Sequence, residues 1–99
     1  MKYKTKSIMV GRKPRVGNNK YKTAVIGLFE VNNPHKIGAA PTKVLDFQNT
    51  EKVRIRNMNV SYYLEGNDII INDLEEIDIA EDGHNIIIKG RQENIEKRR

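Results

Sequence analysis

Residues 52–56 read Lys52-Val53-Arg54-Ile55-Arg56, a strict alternation of basic and β-branched apolar side chains. A two-residue period puts alternate side chains on opposite faces of a strand, so Val53 and Ile55 turn to a core while the three bases turn to water. The segment Lys52 to Asn57 is thus a half-buried strand, and its neighbours follow the same grammar. Downstream, Val60 to Leu64 and Asp68 to Ile71 flank Glu65-Gly66-Asn67, whose Gly and Asn tolerate the positive φ of a tight hairpin. A second hairpin joins Ile77 to Ala80 with Ile86 to Lys89 through Asp82-Gly83-His84-Asn85.

Upstream, Lys43 to Phe47 reads as a strand, and Tyr21 to Val31 as a longer one. In the longer run Val25, Gly27 and Phe29 share one face and Ala24, Ile26 and Leu28 the other, so both faces look buried and the strand is expected to be central. Tyr3 to Val10 opens the chain. Gly11 to Lys20 reads as a basic loop, and Asn32 to Pro41 as a polar loop with few residues to bury. The final segment lacks an apolar face, which predicts one β domain over residues 1–91 and a charged tail over 92–99.

Successive short strands at this spacing predict an all-β fold: a small barrel of the oligonucleotide-binding or SH3-like type, with five to seven mostly antiparallel strands, or else a two-sheet sandwich. A chain of 99 residues allows one core of modest size. With no cysteine, disulfides, thiolate zinc sites and cysteine nucleophiles are excluded together. No apolar run approaches the ~20 residues of a spanning helix, and the basic N-terminus lacks the apolar stretch of a signal peptide. The expectation is a cytoplasmic protein without membrane contact.

The net charge of +5 is unevenly spread. Residues 1–29 carry Lys2, Lys4, Lys6, Arg12, Lys13, Arg15, Lys20 and Lys22 and no acid, whereas Glu65 to Asp82 holds eight acids and no base. That segregation predicts one positive and one negative face. Nothing in the chain predicts catalysis or a cofactor. There is no phosphate-binding Gly-rich loop, no serine elbow and no paired-histidine motif, and a turn accounts for Asp82 and His84 without a metal. His35, likewise, falls in a predicted loop.

Bases that neutralise phosphates, together with aromatic rings on which nucleobases stack, point instead to nucleic acid, DNA more than RNA. The candidate residues are Lys2, Tyr3, Lys4, Lys6, Arg12, Lys13, Arg15, Lys20, Tyr21 and Lys22 in the N-terminal arm, with Lys52, Arg54 and Arg56 on the alternating strand. The arm has a competing reading, because in a regular strand Tyr3 or Tyr21 points away from its flanking lysines and packs into the core. Of Tyr62 and Tyr63, one is expected inside and one outside. For Lys52, Arg54 and Arg56 the rival is a solvated face with cross-strand partners such as Asp68 or Asp73. Gly11-Arg12-Lys13-Pro14-Arg15 has part of the composition of a minor-groove hook without its central order, so an ordinary basic loop is expected.

From Lys43 to Ile71, Phe47, Val53, Ile55 and Asn57, then Tyr63-Leu64 and Asn67-Asp68-Ile69, form a pattern covering about a third of the chain. It resembles a family of small proteins of Gram-positive integrative conjugative elements and related plasmids, which includes an auxiliary factor helping a helicase unwind element DNA. The resemblance implies a role in element replication or transfer, with a helicase or other replication protein as partner, and identifies no binding residue. The expected function is a non-enzymatic, backbone-directed DNA-binding accessory protein of a plasmid, conjugative element or phage, with single strands favoured. The rival expectations are an interaction module or inhibitor using the acidic region, and a self-associating structural protein that pairs through exposed strand edges, a homo-oligomer.

Overall fold

The computed structural model describes residues 1–15, 18–30, 35–56 and 60–92, and their side chains outside 12–22. Among these residues the apolar clusters form strands throughout: β1 (Lys2–Tyr3), β2 (Ser7–Arg15), β3 (Asn18–Phe29), β4 (Lys43–Thr50), β5 (Lys52–Arg56), β6 (Tyr63–Glu65), β7 (Asp68–Ile71), β8 (Leu74–Asp82) and β9 (Asn85–Gln92). The fold is all-β and mostly antiparallel, as the alternation predicts. Its strands form two sheets, ordered β1-β8-β9-β5 and β4-β3-β2-β7-β6, and do not close into a five- to seven-stranded barrel. The reason lies at the corner between β4 and β5. There Asn49 takes a φ of 59° and β5 leaves β4 to pair in parallel with β9, from Lys52 opposite Asn85 to Arg56 opposite Lys89. The Glu51 N–H donates to the His84 carbonyl at 2.6 Å and fixes that crossing to the β8–β9 turn.

Both sheets turn branched aliphatic residues to one shared interior. Ile8, Val10, Ala24, Ile26, Leu28, Ile69 and Ile71 of the larger sheet meet Leu74, Ile77, Ile79, Ile86 and Ile88 of the smaller, all buried. Val53 and Ile55 pack against this cluster from β5. Each fully buried Ile or Leu contributes about 1.5–3 kcal/mol, which makes this layer the principal source of stability. The two predicted hairpin turns are present, with Gly66 at φ 64° and Gly83 at φ 62°.

Two predicted loops are something else. Gly11 to Lys20 is strand up to Arg15 and again from Asn18, because β2 and β3 pair from Ser7–Phe29 outward to Pro14–Lys22. Pro14 is tolerated there because β7 pairs with β2 only from Ile8 to Val10, so its missing N–H faces no third strand. The second departure is the segment after β3, which packs on the outer face of the larger sheet. A Cβ on Gly27 would meet the Pro41 Cβ at 3.0 Å, and the His35 ring lies edge-on to Phe29 with centroids 5.0 Å apart. The His35 N–H donates to Ser7 Oγ at 2.6 Å, while its Nε2 lies 3.6 Å from Glu65 Oε2. This covering completes the two-sided burial of β3, an interior strand as expected; residues 31–34 of the predicted loop lie outside the described residues.

β9 ends on buried Gln92, the first residue of the predicted tail. Its Oε1 accepts from the Ser61 N–H and hydroxyl, and its Nε2 donates to the Ser61 and Asn72 carbonyls. The rest of the tail lies outside the described residues.

Ile88→Ala is expected to lower unfolding free energy by about 2–5 kcal/mol in urea titration, since it removes a side chain from between the sheets. Ile37→Ala, at a position 87% exposed, should change it by less than about 0.5 kcal/mol.

Candidate nucleic-acid interface

The alternation in β5 has the predicted consequence: Lys52, Arg54 and Arg56 are exposed, while Val53 and Ile55 are half-buried against the core. β5 is an edge strand, so the three bases line one border of the smaller sheet, about 7 Å from one to the next. Their register neighbours on β9 are Asn85, Ile87 and Lys89, not an acid. Asp68 stands in the other sheet opposite Glu65, and Asp73 pairs with Lys6, so neither is the cross-strand partner the sequence offered. Among the described residues no carboxylate lies within ion-pair distance of Lys52, Arg54 or Arg56. Exposed Lys89 directly beside Arg56 adds a fourth positive charge to the same border. Sequence reasoning missed Lys89 as part of this group, because only the parallel register of β5 with β9 brings the two together.

The N-terminal arm is placed differently. Lys2 and Lys4 are exposed, and Lys2 Nζ is 3.9 Å from Glu76 Oε1. Lys6 sits where the chain crosses from β1 to β2, its side chain only 17% exposed and its ammonium 4.0 Å from Asp73 Oδ1. Tyr3 packs against the core; its hydroxyl donates to Met1 Sδ and the Lys43 ammonium lies 5.3 Å from its ring centroid. That ring is occupied by packing. The side chains of Arg12, Lys13, Arg15, Lys20, Tyr21 and Lys22 lie outside the described residues, although their backbone belongs to β2 and β3.

Among the described side chains, charges of both signs interleave on the smaller sheet; five of the eight N-terminal bases lie outside them. There acidic β8 lies between β1 and β9, and three of its five carboxylates have local partners. Arg91 donates to Glu75 at 2.9 Å, Lys2 faces Glu76, and the Met1 ammonium donates to Asp78 at 3.0 Å. The expectation for Tyr62 and Tyr63 also changes: they are 53% and 49% exposed, beside Leu64 at 64%. Tyr62 precedes β6 and Tyr63 opens it, and this three-residue edge strand is too short to set the two rings on opposite sides.

The hydrogen bond from the Met1 ammonium holds the Asp78 carboxyl below the ordinary aspartate range, a shift that burial partly opposes and that the nearby Lys2 and Lys89 reinforce. Because the folded value is lowered, the contribution of this pair is present above the usual aspartate pKa and is lost as pH falls through the folded one. Carbon-detected NMR titration should find the Asp78 midpoint below that of other exposed aspartates, and acetylation of the terminal amine should raise it. Among the described residues no helix is long and apolar enough to cross a membrane. No family model, curated protein or solved structure matches the chain.

Proposed function

We propose that this protein is a non-enzymatic DNA-binding accessory factor that grips the phosphate backbone along the border formed by β5, with single-stranded DNA favoured. The observation that carries the reading is the row Lys52, Arg54 and Arg56, exposed on one edge strand without an acidic partner among the described residues and extended by Lys89, whose other register neighbour is Asp78. Charged side chains on an edge also keep it from pairing with another chain, which alone explains their presence. A phosphate-binding row accords in addition with the matching of Glu75, Glu76 and Asp78, on β8 of the same sheet, to Arg91, Lys2 and the terminal amine. The same pairing weakens the rival in which β8 offers an acidic surface to a basic partner. A cytoplasmic role in a plasmid, conjugative element or phage, beside a helicase, rests on the resemblance of residues 43–71 described above.

Replacing Lys52, Arg54 and Arg56 together with Ala is expected to weaken DNA binding similarly across sequences, read by fluorescence anisotropy over a series of salt concentrations. The slope of log affinity against log salt should flatten by about 2 for single strands and about 3 for duplex, one counterion-release increment per lost contact. An unchanged affinity and slope would remove this border from the site.

A further inference from the structure

We infer that an unstacked nucleobase binds in the depression where β9 meets the approach to β6, and that the rings of Tyr62 and Tyr63 are its stacking surface. This rests on the phosphate-binding reading of β5 and adds to it the element that distinguishes a single strand from a duplex.

The depression is open, about 350 Å³, and lined by Ser61, Tyr62, Tyr63, Asn72, Asp73 and Gln92. Two aromatic rings about half exposed on adjacent residues are costly to leave in water, and here they border polar groups instead of joining the core. The Gln92 amide ties Ser61 to Asn72 with four hydrogen bonds, so the wall that carries the tyrosines is held in place before any ligand arrives. A preformed platform of this kind suits stacking, because every base offers a π-face and the ring loses little freedom on contact.

Position and hydrogen-bonding groups favour a base at this place. Arg56 is in register with Lys89, Val60 lies near Gly90 and Ser61 is bound to Gln92, so these three residues follow the order of β9 from Lys89 to Gln92. Three residue steps on β9, about 10 Å of backbone, separate Lys89 from Gln92, whose side chains point to opposite faces, so a DNA strand with a phosphate on Arg56 reaches the depression around the end of the sheet. The Asp73 carboxylate in the wall is held by Lys6 at 4.0 Å, and a carboxylate has lone pairs beyond one such contact for a base N–H. Asn72 Oδ1, buried in the same wall, has no hydrogen-bond partner among the described residues, and a turn about χ2 of this half-buried side chain offers it to a second N–H.

The test compares an ordinary single-stranded oligonucleotide with one of equal length whose sugars carry no base, in anisotropy titrations of the intact protein. The wild type should bind the base-bearing strand about 5- to 100-fold more tightly. Tyr62→Ala/Tyr63→Ala should remove that preference while leaving the salt slope unchanged, and Tyr62→Phe/Tyr63→Phe should keep it. Equal wild-type affinity for both strands overturns the inference and leaves the phosphate-gripping border standing. A base preference that survives the Ala pair overturns the assignment to these rings. Binding to neither strand overturns the phosphate-binding reading, and this inference with it. The urea midpoint of each variant verifies folding, and the half-exposed positions predict little change.

Discussion

Everything in this molecule depends on burying one aliphatic layer between two sheets. Neither sheet is viable alone: the smaller would expose Ile77, Ile79, Ile86 and Ile88, and the larger Ile8, Ile26 and Ile71. The chain therefore crosses repeatedly between them, after β1, at the β4–β5 corner, on either side of the β6–β7 hairpin. Each crossing is secured by backbone bonds. Lys6 donates to the Phe29 carbonyl and accepts from the Leu74 N–H, and Glu51 donates to the His84 carbonyl. Buried Thr5 adds a side-chain bond at the first crossing, its hydroxyl accepting from the Phe29 N–H, and buried Gln92 clamps Ser61 at the crossing between β5 and β6.

The same constraint produces the candidate site. A strand that leaves one sheet to enter the other becomes an edge of the second, and β5 does so with a sequence whose alternate residues are basic. One face of β5 is needed by the core, through Val53 and Ile55, and the other is free to carry charge. Because β5 runs parallel to β9, its end points along β9 toward Gln92, and the chain beyond it must pass Ser61, Tyr62 and Tyr63 on its way to β6. Basic row and aromatic platform are consecutive along the chain and adjacent in space for one topological reason.

Period-two alternation made β5 legible, and Gly66 and Gly83 marked both hairpins, because those signals are local. What depended on distant residues was not legible. Nothing from Arg12 to Arg15 or from Asn18 to Lys20 announces a strand, since pairing of β2 with β3 holds these polar residues extended. The covering of Gly27 by Pro41 and of Phe29 by His35 joins a loop to a face that its composition does not advertise. Lys89 joins the basic row only through a parallel register, and the pairing of the β8 acids with Arg91, Lys2 and the terminal amine dissolves the two-face picture drawn from charge runs. Alternation also failed for Tyr62 and Tyr63, because the strand begins only at Tyr63 and its three edge residues bury too little to impose it.

The most direct measurement of the central claim is an amide NMR titration of the protein with a short single-stranded DNA. The account predicts that shifts concentrate along residues 52–56, at Lys89, and at Ser61 to Tyr63, with β8 and residues 36–44 little changed. Shifts centred on β8 or on residues 36–44, or none at all at saturating DNA, would contradict it.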